Sequence, residues 1–491
     1  MSSGRSREQR ELDKLKDVVA QYRAAKDTSV PTDPVKFFQE VLEAEPYPHQ
    51  KAFLEDQDPC KVVRWCRRAG KTFTFTGADL HFAALHPGST TIVTMPKFNQ
   101  IKEVYFQSDA GLHAHLARMD RDYYKALIKE ELQTIIRFNN GAKIIPETPE
   151  PFTIRGHGPE RIDVDEMNFI RKDWDLWLSA LLPMTLTRVV YINIASTPWN
   201  KDSVYHSMCF SKDFDMFSGN VHHPDGAKYL RTWRDLLKPN GPLDRKQVDI
   251  MRKQYRGDPW RWKREMECAF VSDETAFLPA SLIIKCQNSD LNFAEFEEQL
   301  DGDFYLGWDL GRETNPGALA VIDVVDDVRR LVHCKQFKLK TPYATQMGYI
   351  KSLCDRWHYT SAVYYDHTGT KGIDEQIRRA GFPRLGEIDF TKSLKHSMAK
   401  GLKDLMMTVR REDREQPVEE QRRQFELPYD QDVQAELNVV QWEQSPGSEL
   451  YTFSHPEGSY DDRFWAVCLA ILATLQLHRG AMEVDTGRVP R

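Results

Sequence analysis

The stretch Lys61-Val-Val-Arg-Trp-Cys-Arg-Arg-Ala-Gly-Lys-Thr-Phe-Thr74 decides the fold. Val62 and Val63 form a β-branched run that leads into a loop closed by Gly70-Lys71-Thr72, and an apolar, helix-like segment follows. Strand, loop and helix in that order predict a phosphate-binding loop. The first backbone N–H groups of a helix have no partner inside it, so they can cradle phosphate oxygens. Lys71 is then placed to reach the β- and γ-phosphates of a nucleotide, and the Thr72 hydroxyl to hold Mg²⁺. Position 65 is Trp where the full pattern has Gly, and Arg67 and Arg68 add charge to the loop. A plain helix start with a surface lysine uses the same letters, so the flanking sequence has to separate the two readings.

Outward from the loop, the required parts recur in order. Upstream, Tyr47 and Gln50 combine an aromatic face with an amide that both donates and accepts, the chemistry an adenine ring needs. Downstream, Thr90–Pro96 reads as a short buried strand, and residues 132–147 as a hairpin turning at Asn139-Asn140-Gly141. Arg161-Ile-Asp-Val-Asp-Glu166 is a strand ending in two carboxylates, although Asp163 interrupts it. Asp165 is expected to hold the Mg²⁺, and Glu166 to orient and deprotonate the attacking water. Val189–Ala195 is a strongly apolar strand ending at Ser196-Thr197-Pro198, whose hydroxyls can sense a γ-phosphate. The joint order predicts nucleotide hydrolysis. Arg155 precedes Asp165 by ten residues. It is either a finger for a neighbouring subunit's phosphate or a surface arginine, and the sequence leaves both open.

A second chemistry begins at residue 301. Asp309 lies inside the strand Phe304–Gly311, Asp366 ends the strand beginning at Ser361, and Asp461-Asp462 precede an apolar helix, Phe464–Leu477. An Asp within a buried strand costs several kcal/mol unless it is paired or bound to metal. Brought together, the three elements would hold two Mg²⁺ or Mn²⁺ ions about 4 Å apart, the arrangement that cuts phosphodiesters. Oxygen ligands suit these hard cations. Asp is also an ordinary helix cap, so Asp461 and Asp462 remain alternatives for the third ligand.

Composition bounds the rest. With 41% hydrophobic and 29% charged residues over 491 positions, the chain reads as globular, with two to three domains. The eight cysteines include no Cys-x-x-Cys pair and read as reduced thiols, which argues against zinc. The start of the chain carries no signal-peptide core, and no apolar run approaches a membrane span. A net charge of −6 argues against coating by nucleic acid but allows local basic grooves. Residues 8–26 predict an exposed charged helix, and 409–424 a solvated charged insert.

Taken together, a deviant phosphate loop at Arg67–Thr72, the acidic motif Ile162–Glu166, Ser196-Thr197-Pro198 and the aspartates 309, 366 and 461–462 resemble the large terminase subunit of tailed bacteriophages. The resemblance covers residues 35–478. It implies an α/β chain: a P-loop ATPase of the ASCE type with a small helical lid subdomain, followed by a ribonuclease-H-like nuclease. The expected division is a charged arm (1–34), the ATPase core (35–200), a lid (201–275), a linker (276–300), the nuclease (301–480) and a flexible tail (481–491). The resemblance places Tyr47, Gln50, Arg67, Arg68, Gly70, Lys71, Thr72, Asp165, Ser196 and Thr197 at the nucleotide, and Glu166 and Arg155 in catalysis. It prefers Asp462 to Asp461 as third nuclease ligand. It implies ATP and Mg²⁺ or Mn²⁺ as cofactors. The implied partners are double-stranded DNA, a portal protein, a small terminase subunit and further copies in a ring, with no membrane. The implied location is the host cytoplasm, transiently at the portal vertex of a procapsid and not in the mature virion. A DNA-repair helicase–nuclease is the alternative enzyme, and it needs a second motor lobe. A DNA-binding adaptor with decayed sites is the non-enzymatic alternative, and the intact Lys71, Glu166, Asp309 and Asp366 count against it.

Overall fold

The computed structural model describes residues 28–485, apart from 187, 256–258, 272–274, 312, 314, 369–372, 419, 445–449 and 457–458. The expected arm helix over 8–26 and the last residues of the tail lie outside the described residues. The first large sheet has eight strands in the order β3-β4-β5-β2-β6-β7-β1-β8. They are β1 (Cys60–Trp65), β2 (Thr90–Thr94), β3 (Ile128–Glu131), β4 (Ile136–Phe138), β5 (Lys143–Pro146), β6 (Arg161–Val164), β7 (Tyr191–Ala195) and β8 (Leu230–Arg231). From β5 to β8 every neighbouring pair is parallel. Strands in such a sheet are covered on both faces, which is why β1, β2 and β6 are buried throughout. The hairpin expected at 132–147 is β4 and β5, and β3 extends it antiparallel.

Strand β7 lies between β1 and β6. This inserted strand is the ASCE arrangement, and it has a consequence for chemistry. Three loops leave the same edge of the sheet side by side: Cys66–Gly70 after β1, Ser196-Thr197 after β7, and Asp165-Glu166 after β6. Ligands of open parallel sheets bind at that carboxyl edge.

Asp163, the residue that breaks the apolar pattern of β6, is fully buried and paired. Arg161 bonds Asp79 at 2.5 Å and Asp163 at 3.2 Å, and Asn193 of β7 donates to Asp163 at 2.8 Å. The Tyr105 hydroxyl donates to Asp79 at 2.6 Å. Buried charge is tolerated where every member finds a partner. The network ties the helix Lys71–Leu85 to β6 and β7 behind the phosphate loop.

The second sheet has the order β13-β12-β9-β10-β11-β14. It comprises β9 (Asp301–Asp309), β10 (Ala318–Val325), β11 (Val328–Gln336), β12 (His358–Asp366), β13 (Leu385–Ile388) and β14 (Phe425–Glu426). An antiparallel meander, β9-β10-β11, is flanked by β12 and β13 running parallel to β9. This is the ribonuclease-H-like order. The helix Asp462–Asp485 lies across β9 and β10, with Phe464–Ala470 wholly in the core. A side chain at Gly307 would meet the Ala466 carbonyl at 2.0 Å, so only glycine lets the helix lie this close to β9. The chain holds no second motor sheet among its described residues, which removes the support a helicase reading needs.

Three expectations differ in the structure. The lid expected at 201–275 is not purely helical: β8 joins the ATPase sheet beside β1, and Phe217 and Tyr229 are buried in the ATPase core clusters. The linker expected at 276–300 is part of the nuclease. Phe277 and Leu278 and the helix Ala280–Lys285 bury Ile283 in the nuclease core, and Phe277 N–H bonds the Val440 carbonyl at 2.7 Å. Partners more than 150 residues away supply this burial, so local periodicity could not show it. The insert 409–424 is not wholly solvated: Arg410 and Asp413 are buried, and Arg410 pairs with Glu426 of β14. No helix among the described residues is long and apolar enough to cross a membrane. All eight cysteines are free thiols.

Candidate active sites

The helix Lys71–Leu85 starts at Gly70, whose φ of +84° is left-handed, and a Cβ there would meet Gln50 Nε2 at 2.6 Å. The left-handed backbone favours glycine at that cap, while the Gln50 side-chain end could move aside. Trp65 stands where the loop pattern has its first Gly, but its ring turns into the core, 4.7 Å from His49 and 6.0 Å from Phe53. The indole therefore leaves the cradle clear. Lys71 Nζ folds back onto the Trp65 carbonyl at 3.0 Å. Arg67 donates to Glu265 at 2.8 Å, and Glu265 also accepts from Arg261 and Tyr255. Arg68 is exposed, with φ +65°.

A cavity of about 1310 Å³ opens over this loop. Gly70, Lys71 and Thr72 line one side, Asp165, Glu166 and Thr197 another, and Gln431 and Asp432 of the nuclease a third. Glu166 also has a left-handed backbone, φ +56°. Its Oε2 accepts from the Ser196 hydroxyl at 3.2 Å and the Thr197 N–H at 3.3 Å. Asp165 is buried; burial and then the neighbouring Glu166 charge push its pKa up, and Lys71 pulls it back. A buried Asp165 and a half-buried Glu166 facing a lysine are the donor set a Mg²⁺–nucleotide complex requires.

Two expectations are placed differently. Tyr47 and Gln50 do not line the cavity. Gln50 Oε1 turns back to cap its own helix at Tyr47 N–H, 2.8 Å away, and Tyr47 stacks on His49. The amide is spent on the cap and on the back of Gly70. Arg155 is exposed on the helix Pro151–His157, its Nε 3.3 Å from the Pro151 carbonyl, and is also not part of the cavity wall. Sequence reasoning missed Glu265, whose partner Arg67 is 198 residues away.

In the second sheet, Tyr365 of β12 registers with Trp308 of β9, so Asp366 and Asp309 end adjacent parallel strands. Asp309 is buried, and burial followed by the charges of Asp462, Asp366 and Asp461 pushes its pKa well above the usual carboxylate range. Asp462, at the start of the helix packed on Gly307, is pushed up to about 8 by burial and then by Asp461 and Glu436. Its Oδ2 is buried with no hydrogen-bond partner among the described residues. Asp461 differs: it accepts from Trp465 Nε1 at 2.8 Å and faces His455 at 3.7 Å. An orphaned buried carboxylate oxygen amid three more carboxylates fits a divalent cation. No three of these carboxylates bring their oxygens within 4.8 Å of one another. The described group that does so is Asp58, His223 and Asp225, away from both sets of motifs, where His223 pairs with Asp58 at 3.4 Å.

The phosphate loop, acidic pair and Ser-Thr loop all fall within residues 66–284, just under half of the chain, which match the family model described as terminase large subunit, T4likevirus-type, N-terminal. Over this segment the chain is similar to the terminase large-subunit family. No curated protein matches this chain. Among solved structures it is similar to the large terminase of a thermophilic bacteriophage, at 12% identity over 88% of this chain and 100% of that one, with a TM-score of 0.39. The HK97 bacteriophage large terminase gives 12% identity over 90% and 99%, with a TM-score of 0.37. The nuclease of the thermophilic phage G20c large terminase, with bound magnesium, gives 15% identity over 40% and 97%, with a TM-score of 0.31.

Proposed function

We propose that this chain is the motor subunit of a phage DNA-packaging machine. ATP hydrolysis in the first domain drives double-stranded DNA into a procapsid. A Mg²⁺- or Mn²⁺-dependent endonuclease in the second cuts concatemeric DNA before and after filling. The observation that carries this reading is the pairing, in one chain, of the Lys71–Glu166 cavity with a separate buried aspartate cluster. ATP supplies the transferable phosphoryl group and its Mg²⁺ the charge neutralisation. Lys71 and Thr72 would hold these, with Asp165 on the metal. Glu166, fixed by Ser196 and Thr197, would orient a water and take its proton. In the nuclease, Asp309, Asp366 and Asp462 would hold the cations. Two such ions would activate the water and stabilise the leaving oxygen. Asp462 is favoured over Asp461 because its oxygen has no other partner.

The motor works as a ring, in which the exposed Arg155 serves a neighbouring subunit's nucleotide. The ring docks on a portal protein in the host cytoplasm, takes DNA from a small terminase subunit and leaves before the virion matures. The purified chain is tested for DNA-stimulated phosphate release and plasmid cleavage, with EDTA as control. Phosphate release and EDTA-sensitive cleavage are expected. A folded chain with neither activity refutes the reading.

A further inference from the structure

A second, smaller cavity of about 270 Å³ lies between the two domains. Arg171 of the ATPase, Gln287 of the segment joining the domains, and Arg330 and Arg410 of the nuclease all line it. Its chemistry is that of an anion site. Gln287 is 6% exposed, and its Nε2 donor has no partner among the described residues. The Arg330 Nε is buried and makes no hydrogen bond; its one charge partner is Glu426, at 3.5 Å. Arg171 is half-buried; it bonds the Gln421 carbonyl at 2.6 Å and has no carboxylate within ion-pair distance among the described residues. Burial pulls its pKa down.

Charge does not balance here. Glu426 is a buried carboxylate shared by two guanidiniums, Arg410 and, at 3.5 Å, Arg330, and the other buried carboxylate nearby, Asp413, is taken by both arms of Arg422 at 2.8 and 3.0 Å. The neighbouring Arg423 bonds only the Met407 carbonyl, and its Nε is buried without a partner. The other acidic groups of the wall, Glu150, Asp290 and Glu420, are exposed, and Glu150 is paired with Lys172 at 3.7 Å. Unmatched buried donors and surplus cationic charge are costly unless an anion answers both. The volume falls just under the roughly 300–1,000 Å³ of drug-sized sites, which points to a small ligand.

We propose that this cavity binds a phosphate-class oxyanion, held by Arg171, Gln287 and Arg330, that bridges the ATPase and the nuclease. The phosphate is either free orthophosphate, the product released by the neighbouring ATP cavity, or one backbone phosphate of DNA. Tyr429 lines both cavities, so they share a wall.

The test uses the full-length chain carrying Lys71→Ala, so that the phosphate loop does not contribute. Isothermal titration with sodium phosphate is compared with sodium chloride at equal ionic strength. Duplex binding is followed separately by anisotropy in phosphate-free buffer. Gln287→Leu, which keeps size and removes the donor, and Arg171→Ala, on the other domain, are each expected to weaken binding about tenfold, the size of one charge-assisted hydrogen bond. Loss of phosphate affinity with unchanged duplex binding identifies free phosphate. Loss of both, with phosphate competing against the duplex, identifies the DNA backbone. Circular dichroism checks folding, and the two substitutions on separate domains check each other. Phosphate and duplex binding that neither substitution alters, or no binding at all, overturns the proposal.

Discussion

The Glu166 carboxylate accepts a hydrogen bond from the Ser196 hydroxyl at 3.2 Å. The acid assigned to the attacking water is thus held by the strand inserted between it and the phosphate loop. Ser196→Ala removes one of two donors to Oε2 and leaves the Thr197 amide. One such bond is worth about 1–1.5 kcal/mol, so kcat for ATP is expected to fall about tenfold with a smaller change in KM. Steady-state phosphate release checks it, and an unchanged kcat removes Ser196 from the mechanism.

Gly307→Val places a side chain where the Ala466 carbonyl lies 2.0 Å from even a Cβ. The helix Asp462–Asp485 must lift off β9, which costs about 1–3 kcal/mol of overpacking. It also carries Asp462 away from Asp309. Plasmid cleavage is expected to be lost while ATP turnover persists, and cleavage at the wild-type rate would contradict this packing.

Asp461→Asn and Asp462→Asn are expected to differ. Asparagine at 461 keeps an oxygen for Trp465 Nε1 and should preserve most cleavage. At 462 it removes charge from the orphaned oxygen and should reduce cleavage by at least about 100-fold, the scale of losing a metal-site group. Cleavage rates against Mg²⁺ concentration separate the two, and the reverse ranking would reassign the ligand.

Acid stability follows from two buried imidazoles. His115 Nε2 meets the Phe73 carbonyl at 3.0 Å, His81 Nε2 the Pro31 carbonyl at 2.9 Å, and burial pushes both down to about 4. Their folded pKa values lie below the unfolded 6.5, so the unfolded chain takes up protons first. Their contribution is complete above about pH 6.5 and is lost as pH falls towards 4, at up to about 3 kcal/mol for the fully buried His115. Thermal melts from pH 7.5 to 4.5 should show the first transition dropping. A His115→Asn variant, which cannot titrate there, should drop less.

Much of this was legible in the sequence where chemistry is local. Gly70-Lys71-Thr72, Asp165-Glu166 and Ser196-Thr197 each follow a strand that the sequence shows, and the antiparallel neighbours of the nuclease follow from short connections. What stayed hidden depends on partners far along the chain. Asp163 looked like a flaw in β6 because Asp79 and Asn193, which complete its network with Arg161, are distant in sequence. The segment before residue 301 looked like a linker because Val440 and the nuclease core cover it. Gln50 offered adenine chemistry in the sequence, but its amide is used to cap Tyr47 N–H.

The central claim is that ATP turnover and metal-dependent cutting occupy separate sites of one chain. The most direct measurement assays both activities in folded Lys71→Ala and Asp309→Ala variants. The account predicts that Lys71→Ala loses phosphate release and keeps Mg²⁺- or Mn²⁺-dependent cleavage, and that Asp309→Ala does the opposite. Loss of both activities in both folded variants would contradict it.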